Sequence, residues 1–192
     1  MRLVLVLAAT LLAGAAHAQQ TPAPTPPDLT KPLPFAEGFP QRVPAPGGEV
    51  IFSSRGERAN YDAVHYAPAR RVGDTLYVSG VIAGVPPGGD MEAFRTSLRL
   101  AFRRIERTLK AAGAGFEDVV MINSFHVWES PDFAAGKEAR FAAVAAVKDE
   151  FMSAPHPAWT AVGTTGLLGQ GGLVEIQVIA RIPAKTPERP GS

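Results

Sequence analysis

Apolar and polar residues alternate along the C-terminal stretch Leu173–Ile182. This alternation predicts a β-strand with one buried face, because successive strand side chains point to opposite sides of a sheet. We expect this strand to form a hairpin with Pro155–Val162, across the glycine-rich segment Gly163–Gly172. The hairpin would bring Glu175, Trp159 and Thr160 close to one pocket. The face predicted to be buried carries Val174, Ile176, Val178, Ala180 and Ile182.

Two longer stretches carry apolar residues at helical spacing. Asp90–Ala112 places them three and four positions apart, which predicts an amphipathic helix that ends at Gly113. Asp132–Phe151 predicts a second helix, with its apolar stripe at Phe133, Phe141, Val144, Val147 and Phe151. The two helices would cover one face of a sheet.

Four further stretches have the composition and length of strands. Their order along the chain gives β-β-β-α-β-α-β-β and predicts an α+β fold, a two-layer domain in which two helices pack on one mixed sheet. The second face of such a sheet needs a cover, so we expect a homo-oligomer. The four stretches are Val50–Phe52, Val64–Val72, Thr75–Val81 and Asp118–Trp128, with a two-residue turn at Gly73-Asp74.

The N-terminal part has a different composition from the domain that we place at residues 49–184. Residues 1–18 combine one basic residue, an apolar run and the ending Ala16-His17-Ala18, which predicts a cleaved signal peptide and a periplasmic or secreted protein. The run is shorter than the roughly 20 residues of a membrane-spanning helix. Residues 19–48 are rich in proline and predict an extended linker, while residues 185–192 predict a disordered tail.

Composition limits the classes of partner and site. The chain has 19 basic and 18 acidic residues with no dense basic run, so we expect no nucleic-acid partner. Because cysteine is absent, disulfides, thiolate metal sites and thiol nucleophiles are excluded. His65, His126 and His156 lack helical ligand spacing, so we predict no metal.

The clearest chemical candidate in the predicted strands is Glu175. A carboxylate on a strand that otherwise looks buried must face a cavity or be paired. Both a base in a pocket and a salt bridge to a neighbouring subunit remain open at this point. Motifs for serine nucleophiles and for phosphate binding at a helix N-terminus are missing from the sequence.

Several short motifs, taken in order, resemble the reactive intermediate deaminase (Rid, YjgF-type) family. The resemblance covers Tyr61–Ile182. The motifs are Tyr66, Val72-Gly73-Asp74, Tyr77-Val78-Ser79-Gly80, Ala111-Ala112-Gly113 with Asp118-Val119-Val120, Asp132-Phe133, Pro157-Ala158, and Leu173-Val174-Glu175-Ile176 with Ile179-Ala180.

This resemblance implies a chorismate-mutase-like fold that assembles as a homotrimer with pockets at the subunit interfaces. Active members of the family hydrolyse reactive enamines and imines to 2-oxo acids and ammonia, without a cofactor or metal. An arginine after Pro-Ala binds the substrate carboxylate in a bidentate way, which suits a planar guanidinium. A glutamate on the last strand is associated with the hydrolytic water, and a tyrosine and a serine line the pocket.

The family's site residues transfer only in part. Glu175 matches the catalytic glutamate, and we expect the substrate-binding residues to be Tyr66, Ser79, Gly80, Trp159 and Thr160. Trp159 stands where the arginine is expected, and an indole has one N–H donor and no charge. Lys137 and Ala161 replace an asparagine and a cysteine that active members often carry.

Three hypotheses follow for the pocket. It binds a small, aromatic or uncharged ligand with Trp159 as a stacking wall. Alternatively, it hydrolyses an enamine or imine that lacks a carboxylate, with Glu175 activating water and Lys137 supplying charge if its side chain reaches the site. In the third, Trp159 fills the pocket of a purely structural trimer.

Overall fold

The computed structural model describes residues 26–131 and 133–182. This part of the chain contains seven strands and three α-helices. The strands are β1 (Gln41–Ala45), β2 (Gly48–Phe52), β3 (Ala69–Val72), β4 (Thr75–Gly84), β5 (Val119–Val127), β6 (Ala158–Thr164) and β7 (Gly172–Arg181). The helices are α1 (Arg55–Val64), α2 (Met91–Ala112) and α3 (Lys137–Asp149).

All seven strands form one mixed sheet in the order β1-β2-β3-β4-β7-β5-β6. Only β5 and β6 pair in parallel, and the other neighbours are antiparallel. Gly73 and Asp74 connect β3 to β4 as predicted, and Gly73 has a φ of 59°, a backbone angle that glycine adopts without steric cost. The sheet places β7 between β4 and β5, near its centre.

Helix α2 forms where the apolar spacing predicts it. Asp90 accepts a hydrogen bond from the backbone N–H of Ala93 at 2.9 Å and begins the helix, and Gly113, with a φ of 81°, ends it. The predicted apolar face is buried against the sheet, in particular Phe94, Leu98, Phe102, Ile105 and Leu109.

The two faces of the sheet differ in burial. The alternating residues predicted for the buried face of β7 are all buried, at most 6% exposed, on the side covered by helices α2 and α3. We call this side the inner face. The outer face exposes Tyr77, Phe125 and Val162. The α+β, two-layer prediction is therefore confirmed, and the outer face is open in the single chain.

The predicted C-terminal hairpin is wrong. Strand β6 does not pair with β7, because β5 lies between them, antiparallel to β7 and parallel to β6. A parallel pair needs a crossover connection, and helix α3 supplies it between β5 and β6. Consequently the glycine-rich connection crosses the end of β5 to insert β7 into the middle of the sheet.

Two helix boundaries also differ from the prediction. Only Ala69–Val72 of the predicted strand Val64–Val72 forms a strand, since α1 occupies Arg55–Val64 and β3 begins at Ala69. Helix α3 begins at Lys137 because Gly136, in an extended conformation, precedes it. The buried Arg140 side chain donates to the carbonyls of Phe133 and Ala135, which holds this stretch as a loop.

Part of the proline-rich segment belongs to the fold. Residues 41–45 form β1 and pair with β2, although we expected an unstructured linker as far as residue 48. Pro44 is tolerated because β1 is an edge strand. Arg103 on α2 also donates to the carbonyls of Leu29 and Thr30 at 2.9 and 3.0 Å.

The predicted signal peptide, the start of the linker, Asp132 and the predicted tail lie outside the described residues. Among the helices in the described ranges, none is both long enough and apolar enough to cross a membrane.

Candidate functional site

Glu175 lies against Gly80 on the outer face of the sheet. A Cβ atom added at Gly80 would lie 1.9 Å from Glu175 Oε1, so any other residue there would displace the Glu175 side chain from this position. The β4–β7 pairing shifts register between Val78 and Val81, and Gly80 lies within that bulge. Bulges re-aim side chains and are frequent near functional sites.

Ser79 and Tyr66 lie next to this pair. Ser79 donates its hydroxyl hydrogen to the carbonyl of Ala67 at 2.7 Å, which ties the bulge to the segment that carries Tyr66. The Tyr66 side chain is 42% exposed, and its hydroxyl accepts a weak hydrogen bond from Asn60 at 3.4 Å. The structure thus brings together Glu175, Gly80 and Ser79, which the sequence predicted for one site, and Tyr66 adjoins them through its neighbour Ala67. Ser79 is engaged with backbone, whereas Glu175 presents its carboxylate to the outer face and the Tyr66 hydroxyl is partly exposed.

The Glu175 carboxylate stands without a counter-charge in the described chain. None of the salt bridges among residues 26–131 and 133–182 involves it. Its neighbours across the two adjacent strands are Ile82 and Phe125, both apolar. A partly exposed carboxylate in such surroundings can accept a proton or position a water molecule.

Trp159 lies on the other face of the sheet. The parallel register aligns it with the buried Ile122, and its indole N–H donates to Ser124 Oγ at 2.9 Å. Its ring stacks on Phe141 of α3, with 5.1 Å between centroids and an angle of 27°. The ammonium of Lys148 lies 5.8 Å from the centre of the same ring.

The expected convergence of Trp159 with Glu175 within one chain is therefore wrong. Strand β5 separates β6 from β7, which puts the two backbones about 10 Å apart. In addition, the two side chains point to opposite faces. Thr160, the next residue, is exposed on the outer face beside Asn123, so it shares a face with Glu175 but not a strand pair.

A polar chain extends from Trp159 through the inner face. Ser124 Oγ accepts from the indole N–H of Trp159 and also lies within hydrogen-bond distance of His126 Nε2, at 2.8 Å. Burial lowers the pKa of His126 to about 4. The imidazole is therefore neutral near pH 7. It stacks on Trp128 with 4.3 Å between ring centroids and an angle of 8°.

Two cavities adjoin the C-terminal end of β6, and Trp128 lines both. The first has a volume of about 290 Å³ and is lined by Trp128, Lys137, Glu138, Phe141, Ala161 and Gly163. The second has a volume of about 410 Å³ and is lined by Trp128, Glu129, Gly163, Thr164 and Thr165. The sequence pattern does not mark Trp128 as a site residue, because a tryptophan at the end of an apolar strand is typical of the core.

Glycine at position 163 allows Trp128 to occupy this place. A Cβ atom there would lie 2.8 Å from Trp128 Cδ1 and Nε1. The indole is thus held between the β6 backbone at its edge and His126 at its face.

Lys137 reaches the smaller cavity as the first residue of α3. Its ammonium lies 5.5 Å from the centre of the Trp128 ring. Ala161 lines the same cavity. Lys137 therefore adjoins the Trp128 side of the molecule, on the inner face, while Glu175 lies on the outer face.

No group of three potential metal ligands occurs among the described histidines, aspartates and glutamates. The candidate site residues offer the carboxylate of Glu175, the hydroxyl of Tyr66, the ammonium group of Lys137 and the aromatic rings of Trp128 and Phe141.

Comparison with known proteins places this geometry in a family. The model of the family described as Endoribonuclease L-PSP matches residues 57–182. The chain is 40% identical over 129 residues to the RutC family protein YjgH of Escherichia coli, covering 67% of this chain and 91% of that protein.

Solved structures agree with this assignment. A structure of Protein YJGH is 41% identical, with a TM-score of 0.51, and the match covers 65% of this chain and 89% of that chain. Rv2704 from Mycobacterium tuberculosis, a member of the YjgF/YER057c/UK114 family, is 30% identical with a TM-score of 0.50, and the match covers 64% and 91% of the two chains. The chain therefore belongs to the Endoribonuclease L-PSP family, the Rid or YjgF-type family that its sequence motifs resemble.

Proposed function

We propose that this protein is an exported homotrimer that binds a small organic molecule at its subunit interfaces and has little or no activity on 2-imino acids. The observation that carries this proposal is the position of Trp159. Its only donor is bonded to Ser124, and its ring packs against Phe141.

The absence of a guanidinium at position 159 removes the expected carboxylate clamp. Each hydrogen bond of such a charge-assisted pair contributes about 1.5–3 kcal/mol. An indole that already donates to a buried hydroxyl supplies none of this to a ligand. Deamination of amino-acid-derived imines should therefore be weak or absent.

The division of the site between two faces supports a pocket shared by subunits. Glu175 lies on the outer face, whereas Trp128 and Lys137 line cavities at the edge of the inner face. The outer face also exposes Tyr77 to 48% and Phe125 to 37%. A neighbouring subunit that covers these residues would bring its own β6 edge towards Glu175, and both halves would then contact one ligand.

A second function is supported by the unpaired Glu175 carboxylate. In this alternative, the protein hydrolyses an enamine or imine that lacks a carboxylate. Glu175 would take a proton from water as the oxygen attacks the imine carbon and pass it to the nitrogen, which gives a carbinolamine. Transfer of the hydroxyl proton to the same nitrogen would then release ammonia and leave a carbonyl product. The close contact with Gly80 fixes the position of this base.

An ammonia-release assay with enzymatically generated 2-iminobutanoate tests the first function, and the same assay with an imine that lacks a carboxylate tests the second. The binding proposal expects no turnover by the wild type, and no loss in Glu175→Ala. Turnover by the wild type that disappears in Glu175→Ala would overturn it and favour catalysis.

Binding itself is measured by quenching of tryptophan fluorescence with a metabolite library. The chain has two tryptophans, so Trp128→Phe and Trp159→Phe assign the signal. We expect Trp128, which lines the cavities, to report binding. If no compound in the library quenches the fluorescence of either tryptophan, the result would support a purely structural trimer.

Export is part of the same proposal. We expect the chain isolated from the periplasm or the medium to begin at Gln19, as N-terminal sequencing would show. A chain recovered from the cytosol with residues 1–18 intact would contradict export.

A further inference from the structure

Lys137 is distinguished from the other described lysines by its lack of a carboxylate partner. Lys31, Lys110 and Lys148 each have a carboxylate oxygen within 4.0 Å, at 3.5, 2.8 and 2.7 Å. Lys137 makes no such contact with any described residue, although Glu138 lines the same cavity. Its positive charge is therefore not neutralised within the described chain.

The cavity around this ammonium is lined by aromatic rings and by two small residues. Trp128 and Phe141 supply the rings, and Ala161 and Gly163 leave open the space between them. A volume of about 290 Å³ is at the lower end of the range for ligand pockets and suits a single ring with one substituent. Trp128 is held in place by His126 and by Gly163, so this wall is formed before a ligand arrives.

The position of the ammonium decides the sign of the ligand's charge. Lys137 Nζ lies 5.5 Å from the centre of the Trp128 ring, where a cationic ligand would otherwise bind the aromatic face. The Lys137 ammonium would repel a cationic ligand from the Trp128 ring, whereas an anionic ligand could form an ion pair with it.

We propose that the smaller cavity binds an aromatic carboxylate, with the acid group on Lys137 and the ring between Trp128 and Phe141. This assignment rests on the small-molecule pocket proposed above and names its ligand class. It places anion recognition on helix α3 and not on strand β6, where Trp159 is turned to the inner face.

Three ligands of nearly equal shape test the assignment: benzoate, benzamide and benzylamine, which carry negative, zero and positive charge. Their dissociation constants are measured by calorimetry or by Trp128 fluorescence on the intact protein. We expect benzoate to bind about tenfold more tightly than benzamide, the low end for a charge-assisted hydrogen bond. Benzylamine should bind most weakly.

Variants of the cavity separate charge from shape. Lys137→Met should abolish the preference for benzoate and leave benzamide within about twofold, whereas Lys137→Arg should retain most of the preference. Glu138→Gln should strengthen benzoate binding about twofold, because it removes a like charge from the same cavity. Lys110→Met, which removes an exposed lysine from α2, is the matched control and should change nothing.

The outcomes distinguish the two proposals. A benzoate preference that survives Lys137→Met, or tighter binding of benzylamine, overturns the assignment to Lys137. Equal affinity of the wild type for benzoate and benzamide also overturns it, but leaves the small-molecule pocket in place. If none of the three ligands binds, the aromatic carboxylate assignment is overturned, and the library screen alone then decides whether a pocket for another ligand exists.

Discussion

The indole nitrogen of Trp159 lies 2.9 Å from Ser124 Oγ, on the face of the sheet that helix α3 covers. Position 159 thus contributes to packing in the single chain. Its side chain joins a polar chain that continues to His126.

Substitution at position 159 should therefore cost stability before it changes chemistry. We expect Trp159→Arg to lower the free energy of unfolding by about 1–3 kcal/mol, because it loses the ring stacking and brings a second cation near Lys148. Trp159→Phe keeps the stacking and loses only the hydrogen bond, about 1 kcal/mol. Urea denaturation at one fixed protein concentration measures both. An arginine variant as stable as the wild type would show that this side chain readily turns away from α3.

The contact between Gly80 and Glu175 predicts a coupling that a double-mutant cycle can measure. Gly80→Ala should destabilise the wild type by about 1–2 kcal/mol, since the new Cβ would overlap Oε1 and Cγ of Glu175. In a Glu175→Ala background the same change should cost little. Equal costs in both backgrounds would mean that the carboxylate does not lie on Gly80 in solution.

His126 makes stability depend on pH. Burial lowers its pKa to about 4 in the fold, whereas the unfolded chain binds a proton near pH 6.5. The unfolded state thus binds more protons between these values, and the free energy of unfolding falls as the pH is lowered through this window. We expect a loss of about 2 kcal/mol between pH 7 and pH 5 from this group.

Histidine variants assign that loss. His126→Gln should reduce the pH dependence, while His65→Asn, at an exposed residue with a φ of 61°, should keep it. The measurement is chemical denaturation at both pH values. Identical pH dependence of the wild type and His126→Gln would exclude His126 as its source.

Arg103 should hold the N-terminal segment on helix α2. Its guanidinium donates to Leu29 and Thr30 and lies 4.7 Å from the centre of the Phe151 ring. We expect Arg103→Ala to cost about 1–2 kcal/mol and to speed proteolysis before β1. Arg95→Ala, which removes only an exposed salt bridge on the same helix, is the control. Proteolysis at the same rate in both variants would contradict this role.

The outer face should be an interface between copies of the chain. We expect size-exclusion chromatography with light scattering to give three times the subunit mass for the wild type. Tyr77→Lys or Phe125→Glu should shift it to the monomer, because each buries a charge in an apolar contact. Val64→Lys, at an exposed position in α1, should remain a trimer. A monomeric wild type would overturn the trimer and the shared pocket together.

The sequence predicted the elements whose apolar spacing is regular. Helix α2 and the buried face of β7 follow directly from periods of 3.6 and 2 residues. The sequence pattern did not predict helix α1, because none of its residues is buried and it therefore has no apolar stripe. The only local signal was Ser54, whose side chain accepts from Glu57 N in a capping arrangement.

The sheet order and the site were harder to predict for a related reason. Pairing between distant strands is not encoded in local spacing, and the intervening β5 changed a hairpin into two separated strands. The face of the sheet on which Trp159 lies depends on its register with Ile122. A register shift of one residue would move the side chain to the opposite face. Glu175 was selected from its place on an apolar strand and Gly80 through family resemblance, whereas the cavity around Trp128 required the fold itself.

The two edges of the sheet have unequal capacity for strand addition. Pro44 removes a backbone donor from β1 at one end, while β6 at the other end has no proline between Ala158 and Thr164. Continued edge-to-edge growth into a fibre needs two competent edges, and the sheet of the described residues offers one. Association through the β6 edge is thus biased towards closed assemblies of limited size, which is an advantage for a protein that leaves apolar side chains on an open face.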